Sequence, residues 1–249
     1  DKRSLAWDMA VDIKTPAAAL ALANILVPPS KESQPFFTQA VQDLVYNLLL
    51  NFIRDYEARR NEDTRTPHWT FRDLLCALHS RQTLKAVLQT RPDTLAVLSS
   101  FLEPEQTFQN IMSTSRTKLR EFEIVAALWH RSDRTFSLEE WARTESVIVL
   151  GSHPTGSQAI NTLNRAIFKR ASEILVAGPE VTGNYATRRR TWVIVDELAK
   201  SGIVDGLSDV LTLGRSKGCR VAIGFQDIDA LTKVFGETGA REITAMCDN

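Results

Sequence analysis

Short apolar segments alternate with helical segments in the last part of the chain, and this alternation constrains the fold more than any other feature of the sequence. Three apolar runs after Phe136 predict buried strands at 147–150, 192–195 and 219–224. Strands that are apolar throughout and are separated by helices form parallel sheets with helices on both faces. The sequence therefore predicts an α/β domain with ligands at the carboxyl ends of its strands. Helices are predicted between and after these strands at about 155–176, 203–213, 227–235 and 238–247.

The segment from 34 to 131 has only the periodicity of amphipathic helices. Its apolar residues recur at spacings of three and four, and no run in it alternates as a strand does. Helices are predicted at about 34–59, 70–78, 81–90, 92–102 and 108–129, after a first short helix at 16–27. Thr15, followed by Pro16, is the predicted N-cap of the first helix, and Thr70 is the predicted N-cap of the helix at 70–78. The chain is therefore divided into the start of an α/β domain at 1–33, an inserted all-α domain at 34–131 and the remaining α/β part at 132–249.

The composition is that of a globular protein with no overall charge. Thirty lysines and arginines offset thirty acidic residues among 249, so binding to nucleic acid would need a local basic patch. The three cysteines are scattered, which argues against a disulfide framework and favours a reducing, cytoplasmic compartment. The longest apolar stretch, 16–27, is shorter than the roughly 20 residues that cross a bilayer. No membrane span or signal peptide is predicted.

Two adjacent carboxylates, Asp196 and Glu197, directly follow the predicted strand 192–195. At the carboxyl end of a parallel strand, an Asp can hold the hydrated magnesium ion of a nucleotide, and the next Glu can orient or deprotonate an attacking water. The same pair can instead simply cap the helix that follows. The pattern by itself leaves these two interpretations open.

Two further side chains lie at the ends of the next predicted strand, 219–224. Gln226 follows this strand, and it can either sense a γ-phosphate or stand at the amino end of a helix. Arg215 precedes the strand, away from its own ligand edge, so a catalytic use would be in the site of a neighbouring subunit. Its other interpretation is an arginine that interacts with the dipole at a helix end.

The segment Gly151–Gln158 has the glycine spacing and the strand-to-helix setting of a phosphate loop. Its chemistry does not fit, because Ser157 stands where the phosphate-binding lysine is needed and Gln158 stands where a hydroxyl is needed. Pro154 also removes one of the backbone donors on which such a loop relies. We expect a tight turn here and not a functional phosphate loop.

Four segments together resemble the nucleotide-binding domain of type IV secretion coupling proteins, the conjugative DNA-transfer ATPases of the TraD and TrwB kind. They are TWVIVDELAK at 191–200, LGRSKG at 213–218, VAIGFQDID at 221–229 and the opening DKRSLAWDMAVDI. Their order and spacing agree with the family across nearly the whole chain. The resemblance implies a RecA-like fold of the P-loop NTPase type, in which an all-α domain is inserted between the strands of a parallel sheet.

The resemblance also implies roles for the residues at the strand ends. Asp196 resembles the magnesium-associated Asp, Glu197 the catalytic Glu, Gln226 the sensor glutamine, and Arg215 the arginine that is offered across a subunit boundary. ATP and Mg²⁺ are then the cofactors. In the family the phosphate loop lies upstream of the segment matching DKRSLAWD, after amino-terminal membrane helices. We therefore expect this chain by itself to bind nucleotide poorly and to be inactive.

The function that the resemblance implies is that of a hexameric ATPase motor at the cytoplasmic face of the bacterial inner membrane. Such a motor couples ATP hydrolysis to the transfer of single-stranded DNA and the relaxase through a type IV secretion channel in conjugation. Two alternatives stay open. In the first, the all-α domain is a binding module that docks relaxosome proteins or DNA, without catalysis by this chain. In the second, the chain belongs to a related DNA-translocating ATPase of another pathway.

Overall fold

The computed structural model describes residues 4–30, 35–60, 68–103, 105–151, 157–178, 191–201 and 205–247. The chain divides into two compact units, 1–163 and 164–249, and the boundary falls within one helix. The fold is mixed α/β and mostly helical, with short parallel strands. None of the described helices is both long and apolar enough to cross a membrane.

The first unit is a helical block whose two ends are joined by a short parallel bridge. Strand β1 (Ala6–Trp7) pairs with strand β2 (Thr135–Phe136), so the chain before the helices meets the chain after them. The helices are α1 (Met9–Asp12), α2 (Pro16–Leu26), α3 (Phe36–Arg60), α4 (Phe71–Ala77), α5 (Arg81–Leu88), α6 (Pro92–Val97), α7 (Glu105–Leu119), α8 (Glu123–His130) and α9 (Leu138–Trp141), with a π-helical turn at Leu98–Leu102 and a 3₁₀ turn at Arg120–Phe122. No strand occurs in the described part of 34–131, as predicted.

Local sequence signals explain where these helices begin. The Thr70 side chain accepts a hydrogen bond from the backbone N–H of Asp73, and the Asp73 side chain accepts one from the backbone N–H of Thr70, so the two residues form a capping box for α4. Thr15 caps α2, and Pro16 occupies its first turn, where no intrahelical N–H bond is lost. These two helix starts were predicted from the same residues.

The helix predicted at 108–129 is not continuous in the structure. Residues 120–122 form a 3₁₀ turn that separates α7 from α8. The tighter turn coincides with the burial of Phe122, whose ring lies edge-on to that of Phe71, with 5.8 Å between the centroids. Sequence periodicity missed the break because apolar residues at spacings of three and four continue across it, at Leu119, Phe122, Val125 and Trp129.

A buried carboxylate, that of Asp12, ties the start of the first unit to the chain beyond the helical block. Asp12 is fully buried, and its oxygens accept hydrogen bonds from Trp7 Nε1 at 2.6 Å and Ser137 Oγ at 2.8 Å. They also accept from the backbone N–H groups of Leu138 at 2.7 Å and Glu139 at 3.1 Å. These two amides belong to the first turn of α9, which has no intrahelical partner for them. One side chain therefore satisfies donors from both ends of the block.

We expect Asp12→Asn to destabilise the chain by about 3 kcal/mol, because the amide group turns a donor toward buried donors and leaves at least one of them unpaired. Urea denaturation followed by circular dichroism measures this change. The matched control is Asp93→Asn, which removes the charge from an exposed ion pair with Arg54 and should cost less than about 1 kcal/mol. Equal losses in the two variants would contradict the role given to Asp12.

Among its described residues, the second unit has one pair of parallel strands. Strand β3 (Thr191–Val195) pairs in parallel with β4 (Cys219–Ile223), in a register that places Val193 opposite Val221. Both strands match predicted ones. The helices are α10 (Ser157–Ala177), which begins before the unit boundary, α11 (Leu198–Ser201), α12 (Leu207–Leu213) and α13 (Ile228–Cys247), with a 3₁₀ turn at Gly214–Lys217. Gly236 kinks α13 with a φ of 74°, between the two helices that the sequence predicted there.

The described part of the second unit covers one face of the strand pair. Leu198, Leu207 and Leu231 form a buried core, and the side chains of Val195 and Val221 pack against it. The alternate residues of β3 point to the opposite face: the side chain of Ile194 is 72% exposed, and that of Trp192 is exposed beneath the guanidinium of Arg220. The prediction of helices on both faces is therefore not met within the described residues.

The predicted strand at 147–150 is wrong. The structure has no strand there, and the side chain of Val147 is 87% exposed, with Val149 similarly open to solvent. An apolar run becomes a strand only when a neighbouring strand accepts and donates its backbone hydrogen bonds. No described segment pairs with this run, so its apolar composition alone was a misleading signal.

Candidate functional site

The carboxyl ends of β3 and β4 lie side by side, because the two strands are parallel and in register. The backbone N–H of Gly224 donates to the carbonyl of Val195 at 2.8 Å, and the N–H of Leu198 donates to the carbonyl of Gly224 at 2.8 Å. Asp196 and Glu197 are the two residues between these anchors. The structure therefore holds the loop that carries the two carboxylates against the end of β4.

Glu197 has an unusual backbone conformation. Its φ is 56°, and it is the one described non-glycine residue with a positive φ. A side chain in this left-handed region costs about 1 kcal/mol, because Cβ crowds the carbonyl oxygen. Strain of this kind persists where the surrounding structure fixes it, often at functional sites.

Of the two carboxylate residues, Glu197 takes part in capping the next helix, and it does so through its backbone carbonyl. The carbonyl of Glu197 accepts hydrogen bonds from the N–H groups of Lys200 at 3.0 Å and Ser201 at 3.3 Å, as the residue before α11 should. A capping residue is normally extended, with its side chain accepting from the helix. The φ of Glu197 is not extended, so capping does not account for its conformation.

The two carboxylates differ in exposure. The side chain of Glu197 is 19% exposed, and its Oε2 lies 3.9 Å from the ammonium of Lys200. Asp196 is exposed at the end of the strand. This arrangement gives one sheltered carboxylate that can accept a proton and one open carboxylate that can face a hydrated cation.

Gln226 lies just beyond β4 at the same edge of the strand pair, and its side chain is exposed. The helix-capping role belongs to its neighbour, because Asp227 Oδ1 accepts from the backbone N–H of Ala230 at 2.6 Å, in the first turn of α13. The amide of Gln226 forms no hydrogen bond with a described residue. It is thus available to a ligand at the strand ends, next to the loop of Asp196 and Glu197.

Arg215 does not join this group. It is exposed in the 3₁₀ turn before β4, at the amino end of the strand, opposite the carboxylates. The turn is fixed by its glycines: a Cβ on Gly214 would lie 3.0 Å from Cβ of Cys219, and Gly218 has a φ of 81°. Burial raises the pKa of the Cys219 thiol, so this sulfur packs the turn and is a poor nucleophile.

Most of the segment with phosphate-loop spacing, Gly151–Gln158, lies outside the described residues. The structure describes Gly151, which is exposed, and α10 from Ser157 onward. The prediction of a tight turn between them stays a prediction.

A magnesium ion fits the strand-end group only as a hydrated ion. No three His, Cys, Asp or Glu side chains come together as a metal site among the described residues. Mg²⁺ usually keeps several waters and needs one or two carboxylates together with substrate phosphates. The open carboxylate of Asp196 meets that requirement without a second protein ligand.

The fold and the strand-end residues define a mixed α/β protein that presents carboxylates and an amide at the edge where parallel strands bind ligands. The sequence model of the type IV secretion-system coupling protein DNA-binding domain matches residues 1–249. The chain therefore belongs to the family of type IV secretion-system coupling proteins, as its motifs predicted. No curated protein matched the sequence.

Solved structures of one coupling protein have a similar fold. Plasmid coupling protein TrwB in complex with ADP and Mg²⁺ matches with a TM-score of 0.61 and 20% identity, over 99% of this chain and 55% of that chain. The complex of TrwB with the non-hydrolysable ATP analogue ADPNP gives the same values. An unbound monoclinic form of TrwBdeltaN70 matches with a TM-score of 0.60 and 21% identity, over 99% of this chain and 54% of that one. The chain thus spans about half the length of these structures.

The strain at Glu197 gives a testable pair of variants. We expect the free energy of local opening of β3 to be about 1 kcal/mol higher in Glu197→Gly than in Glu197→Ala, because glycine adopts a positive φ without steric cost. Hydrogen–deuterium exchange of the β3 and β4 amides measures this local stability. Equal protection in both variants, or better protection in the alanine variant, would show that the conformation of Glu197 is not strained.

Proposed function

We propose that the chain is part of a hexameric ATPase motor that couples ATP hydrolysis to the transfer of single-stranded DNA and the relaxase through a type IV secretion channel. The observation that carries the proposal is that Asp196, Glu197 and Gln226 all follow the carboxyl ends of two paired parallel strands, in a chain of the coupling-protein family. We further propose that the whole protein has a RecA-like sheet. We also propose that it acts at the cytoplasmic face of the bacterial inner membrane.

Each strand-end residue has one task in the proposed reaction. Magnesium-bound ATP supplies the phosphoanhydride that water cleaves. The carboxylate of Asp196 would hold the hydrated magnesium ion, which would offset charge on the phosphates, and the sheltered carboxylate of Glu197 would accept the proton of the attacking water. The amide of Gln226 orients that water or contacts the γ-phosphate.

Arg215 fits a different position in the proposed motor. Arg215 is exposed at the amino end of β4, so it cannot reach the carboxylates, which lie at the opposite, carboxyl edge of the strand pair. In a ring of subunits, an exposed arginine on one subunit can stabilise charge in the site of the next. This placement supports a role for Arg215 across a subunit boundary.

We expect Glu197→Gln in the full-length protein to bind magnesium-ATP normally and to hydrolyse it at least about 100-fold more slowly, because the amide cannot take a proton from water. Calorimetric titration with a non-hydrolysable analogue measures binding, and phosphate release measures turnover. Glu173→Gln is a matched control, since Glu173 forms ion pairs with Lys169 and Arg170 on α10. Normal turnover in Glu197→Gln would overturn the catalytic role of Glu197, and absence of turnover in the wild-type protein would overturn the ATPase proposal.

The binding-module alternative, in which the helical block contacts DNA, has its own supporting observation. Arg116 and Arg120 are exposed four residues apart, where α7 meets the 3₁₀ turn, and neither forms an ion pair with a described residue. Unpaired arginines on one side of a helix form the local basic patch that a chain of zero net charge needs for phosphate contacts. The family model, that of a DNA-binding domain, is in agreement.

We expect the double variant Arg116→Ala and Arg120→Ala to weaken binding of single-stranded DNA by this chain. The slope of log K against log salt is negative, and its magnitude should fall by about 1.4, because each lost phosphate contact removes about 0.7. Fluorescence anisotropy across a salt series measures it. Arg54→Ala is the control, because Arg54 is already neutralised by Asp93 at 2.6 Å. An unchanged slope in the double variant would show that this surface does not contact the phosphates of DNA.

A further inference from the structure

We propose that Gly224 is a positioning residue for the two carboxylates, a role that rests on the proposed ATPase function. The sequence pattern gives no signal for this role, because a glycine at the end of a strand usually marks only a turn. In the structure the backbone N–H and C=O of Gly224 contact the two ends of the loop that carries the carboxylates. Its N–H donates to Val195, the residue before Asp196, and its carbonyl accepts from Leu198, the residue after Glu197.

These two hydrogen bonds fix the length and direction of the loop. Leu198 is fully buried in the core of the second unit, and Val195 is the last residue of β3, so both anchors are rigid. The two residues between them have little freedom, which explains how Glu197 is held at a φ of 56°. The backbone of Gly224 thereby sets where the Glu197 carboxylate is presented.

The absence of a side chain at Gly224 sets the space beside Asp196. A Cβ at this position would lie 3.4 Å from Asp196 Oδ1 and 3.5 Å from the backbone nitrogen of Glu197. These are ordinary contact distances, so alanine fits, but any larger side chain must displace the Asp196 carboxylate or the loop. The φ of Gly224 is not positive, unlike those of Gly206 and Gly218, so backbone conformation does not require glycine here.

A side chain at position 224 should affect the rate of ATP hydrolysis more than the binding of ATP. A catalytic group displaced by about 1 Å can lose about 100-fold in rate, whereas nucleotide affinity comes largely from contacts elsewhere on the ligand. A side chain at position 224 should therefore impair the chemical step in proportion to its size. A residue with a purely structural role would change folding stability instead.

The test is a size series, Gly224→Ala and Gly224→Val, in the full-length protein. We expect kcat for ATP hydrolysis to fall about threefold in the alanine variant and at least about 30-fold in the valine variant, with KM within about twofold. Gly239→Ala is the matched control, because Gly239 lies in α13, where an added Cβ meets only Phe235. Thermal unfolding of each variant shows whether the fold is retained.

Each result decides between the alternatives. Normal kcat in Gly224→Val overturns the positioning role, and so does a loss of kcat that merely follows the loss of folded protein. A graded loss of kcat with the unfolding midpoint and KM retained supports the role. The wild-type protein separates the two proposals: if it does not hydrolyse ATP, the ATPase function fails, and if it hydrolyses ATP and Gly224→Val has a normal kcat, the positioning role alone fails.

Discussion

Parallel pairing of short strands is the constraint on which both units depend. Two parallel strands cannot be joined by a tight turn, so a long connection must separate them in sequence. In the first unit the connection between β1 and β2 is the whole helical block, and in the second it contains α11 and α12. In each unit the pairing brings together residues that are far apart in the chain, and this is how the Asp12 network and the strand-end group arise.

Carboxylates serve opposite purposes at these two junctions. Asp12 is fully buried, and donors from both ends of the helical block satisfy its oxygens, so its environment leaves no position for a ligand. Asp196 is exposed, and Glu197 is held in a strained backbone conformation with its side chain near solvent. A satisfied buried carboxylate stabilises the fold, whereas an open one at a strand end remains available for chemistry.

Much of the fold could be predicted, because helix starts and buried strands leave local signals. The caps at Thr15 and Thr70 and the strands β3 and β4 were found from the residues that form them. The run at 147–150 failed because an apolar segment without a pairing partner does not form a strand. The strands β1 and β2 were missed because two residues are too few to show any periodicity.

The sequence by itself determined the family, the helical character of the described part of 34–131, and the residues worth testing at the strand ends. It could do so because residue types, caps and periodicity are local properties of the chain. The tertiary structure decided which of those residues meet: Asp196, Glu197 and Gln226 at one edge, and Arg215 at the other. It also brought Gly224 against the carboxylate loop, because hydrogen bonds between strands distant in sequence exist only after the chain has folded.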